Sequence, residues 1–310
     1  MQRYNSFGAY MRKLFGTTVY KVNVDAGFTC PNRDGTLGLT GCIYCNNDSF
    51  RPSSCKPSLS VSEQVANGIA HTKQRFKAAK FLVYFQAYTN TYAPVAALEQ
   101  LYREALSAPD VIGLAIGTRP DAVDHEKIGL LESLAADHFI LVEYGIQSIY
   151  DKSLAFIQRG HDYRTFLNTI EMTKGRGIRI GAHLIAGFPT ETREETLAMA
   201  EEMSQLPIEF LKLHQLQIVK DTPLAVMYRE RPFPVFGYQE YCEFVADFIE
   251  RTAPHIVLQR LFATAPDDIL IAPEWGRNRH QILRDIEKTL EERNIEQGRK
   301  FLAKPAAVRY

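Results

Sequence analysis

No apolar run in this chain reaches the ~18 residues that a membrane-spanning helix needs. The opening Met1-Gln2-Arg3-Tyr4-Asn5-Ser6 lacks the apolar core of a signal peptide. Net charge is missing too, since Lys+Arg and Asp+Glu each number 36. A global basic field of the kind that grips nucleic acid is thereby excluded, although a local basic patch is not. No low-complexity segment or short internal repeat is visible. These absences lead to the expectation of a cytoplasmic protein with reduced thiols and no membrane partner. Against them, 45% hydrophobic and 23% charged residues over 310 positions supply enough apolar material for one large domain or two smaller ones.

What recurs is a short apolar run followed by a longer amphipathic stretch. The runs are 17–24, 80–86, 111–117, 138–146, 178–186 and 210–218, each rich in Val, Ile, Leu and Phe, as buried parallel strands are. Helical patterns lie near 61–78, 95–108, 124–136, 150–158, 165–176 and 192–204. Ser60 with Glu63 and Thr192 with Glu195 fit capping boxes at two of their starts. Six strand–helix units in series predict an α/β fold: a parallel sheet with helices outside, curled by right-handed crossovers into an open or closed barrel. After Pro232-Phe233-Pro234 the rhythm changes, and 238–252 and 279–296 read as helices. The expected organisation is an N-terminal extension over 1–16, a barrel over 17–235 and a mostly helical appendage over 236–310.

Of the five cysteines, Cys30, Cys42, Cys45 and Cys55 fall within 26 residues, while Cys242 stands apart. In a reducing compartment such a cluster reads as metal binding. Cys30 lies in the loop after the first strand, where a parallel barrel places its chemistry. Cys42-Ile43-Tyr44-Cys45 follows, giving a Cys-x11-Cys-x2-Cys spacing with glycines 35, 38 and 41 to turn the loop. Thiolates select zinc or iron–sulfur clusters. Three readings stand from spacing alone: a four-iron cluster with one open iron, a closed zinc site completed by Cys55, or thiols packed as small hydrophobes.

Cys42-Ile43-Tyr44-Cys45 resembles the Cys-x-aromatic-Cys end of the radical S-adenosylmethionine (SAM) signature, with Tyr44 as the aromatic. The long first gap is typical of the branch containing the elongator catalytic subunit, and within it the chain resembles the bacterial YhcC-type proteins. The matching stretches are CPNRDGTLGLTGCIYCNN (30–47), YFQAYTNTYA (84–93), GTRPDAV (117–123), EYGIQS (143–148), RGHD (159–162), HLIAGFPTET (183–192) and LHQLQIVKDTPLA (213–225). No acetyltransferase domain accompanies them. The resemblance implies a partial (β/α)6 TIM-like barrel in which Cys30, Cys42 and Cys45 ligate a [4Fe-4S] cluster. S-adenosyl-L-methionine would chelate the fourth iron, be cleaved to a 5′-deoxyadenosyl radical, and that radical would abstract hydrogen from the substrate. A low-potential electron donor of flavodoxin or ferredoxin type is the implied partner.

SAM needs acceptors for its ammonium, donors for its carboxylate and an apolar edge for adenine. Relatives contact the ammonium at the end of strand two, where this chain has Gln86 and Ala87, so the contact expected here is through backbone carbonyls. Gln147 and Arg159 match in spacing a Gln and Arg that bind SAM in the coproporphyrinogen dehydrogenase branch; Arg159 reads alternatively as a basic residue closing a helix before Gly160. Gly187 resembles a backbone position that frames adenine. From the residues themselves, Glu143 interrupts an apolar strand and so should face the barrel interior with a partner. Period two puts His183 with Arg179 and Gly181 on the polar face of strand five, and Lys212 with His214 on one face of strand six. Thr118 and Arg119 end strand three and could touch SAM or substrate. Trp275 is expected to cover the barrel mouth or to pack in a core, and Cys55 and Cys242 carry no motif.

The elongator-like likeness points to a wobble uridine in tRNA as substrate, an analogy and not a physical derivation. Two basic stretches could meet phosphates: Lys73, Arg75, Lys77 and Lys80, and Arg277, Arg279, His280 and Arg284. A radical SAM enzyme acting on a small metabolite or peptide, and a zinc-stabilised binding module, are the other readings.

Overall fold

The computed structural model describes residues 2–46 and 58–302; Cys55 lies outside them. Helix α1 (Phe7–Phe15) precedes β1 (Val19–Val24). Then come α2 (Val61–Phe76), β2 (Lys80–Phe85), α3 (Val95–Leu106) and β3 (Val111–Thr118). A short 3-10 turn, Pro120–Ala122, leads to α4 (His125–Ala135) and β4 (Phe139–Gln147). Helices α5 (Asp151–Phe156) and α6 (Tyr163–Thr173), β5 (Arg179–Ala186), α7 (Arg193–Ser204) and β6 (Phe210–Gln215) complete the series. Beyond it lie β7 (Ile218–Val219), α8 (Pro223–Glu230), α9 (Tyr238–Arg251), β8 (Val257–Arg260), β9 (Leu270–Ala272) and α10 (Arg279–Glu292).

Strands β1 to β6 pair in chain order, all parallel, and β8 adds a seventh beside β6. The result is a curled half-barrel sheet of α/β class. Both expected capping boxes are present, Ser60 with Glu63 on α2 and Thr192 with Glu195 on α7. Two sequence expectations change. The sheet has seven strands, not six, because the C-terminal region contributes β8 as well as helices. The run 210–218 also breaks at Gln215, whose amide is fixed by both backbone groups of Ala263; Ile218 and Val219 then pair antiparallel with β9.

The outward face of the sheet buries Val83, Phe85, Ile116, Val142, Ile180 and Leu213 against the helices. The inward face is graded along the strands. At the N-terminal end Leu82, Phe139, Leu141, Phe210 and Val257 pack around α1, whose Met11 is fully buried and whose Phe7, Tyr10 and Phe15 complete the cluster. Tyr10 meets Phe210 edge-on at 5.2 Å. Helix α1, capped by Ser6 and stopped by Gly16 in the left-handed region, therefore plugs the lower half of the barrel. Two residues further up each strand, period two turns polar: Tyr84, Glu143 and Lys212. Two further still come Gln86, Gly145 and His214, which line a cavity.

Close packing also fixes Gly113 on β3. An added Cβ would lie 1.9 Å from the Phe139 carbonyl oxygen of the adjacent strand. Gly113→Ala should cost about 3 kcal/mol, read as a lower urea midpoint; an unchanged midpoint would contradict this register.

Candidate active site

The cysteine loop is built from tight turns. Arg33 N–H donates to the Cys30 carbonyl at 2.8 Å, and Cys45 N–H to that of Cys42 at 2.9 Å, so the latter two side chains leave one short turn. Gly41 N–H bonds the Asn32 carbonyl at 2.7 Å and ties the two halves of the loop together. Gly41 has φ +81°, a conformation that favours glycine, and a Cβ there would also press on the Arg33 guanidinium at 2.9 Å. Arg33 in turn donates to the Cys45 carbonyl at 2.6 Å. Ile43 bonds the end of α5 and the start of α8, which docks the loop across the barrel mouth.

Cys30, Cys42 and Cys45 share the wall of one cavity at the C-terminal end of the sheet. The Cys45 thiol is pushed up, first by burial and then by Cys42, with Cys30 adding to it. Cys42 receives two N–H groups, from Asn32 at 3.3 Å and Arg159 at 3.5 Å. Among the described residues no three His, Cys, Asp or Glu side chains converge on the position of a single metal ion.

Most other residues singled out from the sequence reach the same cavity. Tyr44 sits with the cysteines, Gln86 and Ala87 end β2, Thr118 and Arg119 end β3, and Gln147 ends β4 beside Arg159. Glu143, His183 and His214 form its floor. Four buried polar atoms of cavity residues have no hydrogen-bond partner: Asn90 Oδ1, Gln147 Oε1, Arg119 Nη1 and Arg159 Nε. Two are acceptors and two are donors, which is the complement a zwitterionic amino acid requires. Gln147 is also held at φ +72°, an uncommon conformation at a site where strain is retained for use. Gly145 keeps this corner open, since a Cβ there would lie 2.7 Å from the Gln147 amide nitrogen and 3.0 Å from the Arg159 guanidinium.

Glu143 accepts from Lys212 and from Lys21 at 3.5 Å, while Lys212 also donates to the Tyr84 hydroxyl at 2.9 Å. Burial acts to raise the Glu143 pKa, but Lys212 and then Lys21 outweigh it and hold the carboxylate down to about 2. His183 and His214 are hydrogen-bonded through their Nε2 atoms. Burial first and then Arg260 push His214 down to about 3, and burial, followed by His214 and Lys212, pushes His183 down as well, which favours the neutral rings.

Several residues land elsewhere. Gly187 follows β5 with φ +94° and packs against the Phe236 ring, a Cβ there meeting it at 3.0 Å, so close approach to Phe236 explains this glycine. Trp275 stacks on Tyr238 and Tyr241 and donates to the Phe236 carbonyl at 3.0 Å, a packing role. Cys242 is buried on α9. The basic stretch at the end of α2 leads into the N-terminal end of β2, away from the cavity, and its Lys73 pairs with Asp110 at 3.0 Å. Arg277 and Arg279 flank the start of α10, where Arg279 is close enough to Arg260 to feel its charge. Sequence reasoning passed over Asn32, Tyr84, Asn90 and Arg260. Tyr84 was available from period two on β2, and Asn32 and Asn90 lie inside quoted motifs; Arg260 carried no signal.

No helix among the described residues is long and apolar enough to cross a membrane. The model of the radical SAM superfamily matches residues 29–203, and that of the radical SAM C-terminal domain matches 208–292. The chain is 34% identical over 293 residues to protein YhcC of Escherichia coli, covering 94% of each chain. It is 26% identical over 138 residues to a tRNA uridine(34) acetyltransferase of Methanocaldococcus jannaschii, covering 44% of this chain and 25% of that protein. Its fold is similar to that of the archaeal Elp3 of Methanocaldococcus infernus, with a TM-score of 0.70 at 15% identity, over 90% of this chain and 64% of that one. With its parallel half-barrel and these matches, the chain belongs to the radical SAM superfamily beside YhcC, and is a radical SAM enzyme with a [4Fe-4S] cluster and S-adenosylmethionine as cofactors.

Proposed function

We propose that Cys30, Cys42 and Cys45 hold the cluster, that SAM fills the cavity above Glu143, and that the molecule acted on is a wobble uridine of tRNA. The observation that carries the first two parts is the convergence of three thiols and four unsatisfied polar atoms on one cavity. Bound together, the two cofactors would, with one electron from an external low-potential donor, supply methionine and a 5′-deoxyadenosyl radical able to take a hydrogen atom from the substrate.

The chain's own residues divide the remaining work. Asn32 and Arg159 donate N–H groups to the Cys42 sulfur and would hold and orient it as a cluster ligand. Gln147 Oε1 and Asn90 Oδ1 accept from the ammonium, while Arg159 Nε and Arg119 Nη1 donate to the carboxylate. Arg119 is pre-set for this by a paired contact to Asp121 at 2.7 and 2.8 Å. Ile185, Leu216 and Val219 give the apolar edge that adenine needs. Thr118 and the backbone of Gln86 and Ala87 complete the wall. With three thiols given to a cluster and the superfamily matched, the zinc-stabilised module is set aside.

The tRNA part rests on the relative named a tRNA uridine(34) acetyltransferase and on the basic residues Arg277, Arg279, His280 and Arg284 in and just before the first half of α10, of which Arg279 feels the charge of the cavity residue Arg260. A deletion strain is expected to accumulate an under-modified wobble uridine, with tRNA binding that weakens as salt rises. An unchanged nucleoside profile together with no salt-sensitive binding would contradict that substrate.

A further inference from the structure

At and beneath the floor of the cavity, three basic side chains stand around one carboxylate. Lys21 and Lys212 reach the single carboxylate of Glu143. Arg260, the last residue of β8, adds a third cation there and also lines the cavity. The register sets Arg260 beside Lys212, and its charge bears on both His183 and His214. Among the described residues no hydrogen bond or ion pair engages its guanidinium. A half-buried arginine without a counter-charge is costly unless something supplies one.

We propose that Arg260 is the substrate's anion-binding residue: the molecule acted on sets a carboxylate or phosphate against it, beside His183 and His214. This rests on the reading of the cavity given above and adds the chemical class of the substrate to it. Position separates the site from the SAM carboxylate. Arg119 and Arg159, with their unsatisfied N–H groups, follow β3 and β4, whereas Arg260 ends β8, three strands beyond β4 in the sheet. The neutral histidines add no competing charge, so the attraction for an anion comes from the cations. Arg279, exposed at the start of α10 and within reach of Arg260's field, extends the cationic path outward.

The test uses the cluster-loaded protein with SAM bound, titrated calorimetrically with inorganic phosphate and, separately, with acetate. At least one anion should bind, and Arg260→Gln should weaken it about tenfold or more, with Arg260→Lys recovering part. SAM affinity, measured in the same variants, should change less than about twofold and reports that they are folded. Binding of phosphate alone assigns a phosphate ester; binding of acetate assigns a carboxylate. The proposal is overturned if neither anion binds, or if Arg260→Gln binds them as the unaltered protein does. It is equally overturned if Arg260→Gln loses SAM affinity instead, for Arg260 would then belong to SAM. Failure of the unaltered protein to bind SAM would strike the underlying reading of the cavity, a distinguishable result.

Discussion

Cys45→Ala is expected to reduce formation of 5′-deoxyadenosine from SAM to background, whereas Cys242→Ala retains it. The two cysteines differ in surroundings and not in chemistry. Cys45 leaves the turn it shares with Cys42, lines the cavity, and feels the charge of both Cys42 and Cys30. Cys242 is buried on α9, where burial pushes its thiol up to about 11 and keeps it protonated. Removing one of the three proposed ligands would leave a cluster with no fixed orientation toward the Gln147 and Arg159 corner, the juxtaposition on which SAM cleavage would depend. The check is the 5′-deoxyadenosine yield of each variant after anaerobic reconstitution. Full yield from Cys45→Ala would remove it from the ligand set.

Glu143→Gln should lower stability by about 3–5 kcal/mol, the cost of leaving buried lysines without their carboxylate. Glu143 and Lys212 are both 4% exposed, so water cannot substitute for the lost partner. Adding Lys212→Met to Glu143→Gln should recover part of the loss, because the uncompensated charge leaves with the lysine. The same pair sets an acid limit. The folded Glu143 titrates near 2 against an ordinary 4.5, so its contribution is complete above about 4.5 and disappears as pH falls toward 2. Urea midpoints measured across that window should fall for the unaltered protein and change less for Glu143→Gln. Equal stability of the two proteins at neutral pH would contradict the buried pair.

The sheet was legible because each of its first six strands is a short run rich in apolar residues, a pattern that survives without tertiary context. The seventh was not, since Val257–Arg260 is four residues long and half of it is polar. Without β8, Arg260 had no reason to be placed at the cavity. Helix α1 carried its signals, Ser6 before it and Gly16 after it, but nothing local says that a nine-residue amphipathic helix folds back into the barrel. Within the site, Glu143 stood out because a charge inside an apolar strand demands a partner, and the partners proved to be Lys212 and Lys21. Gly187 shows the opposite case: a glycine after a strand serves a ligand or a close side chain equally well, and the structure displays the close side chain, Phe236. Asn90 and Asn32 lay in motifs whose roles depend on loop closure, which only the folded chain displays.

The most direct measurement is electron paramagnetic resonance of the anaerobically purified, dithionite-reduced protein, with iron and sulfide analysis, before and after SAM is added. About four irons and four sulfides per chain, with a reduced-cluster spectrum that shifts on SAM addition, are expected. A colourless protein holding one zinc, or a cluster whose spectrum ignores SAM, would contradict the assignment of Cys30, Cys42 and Cys45.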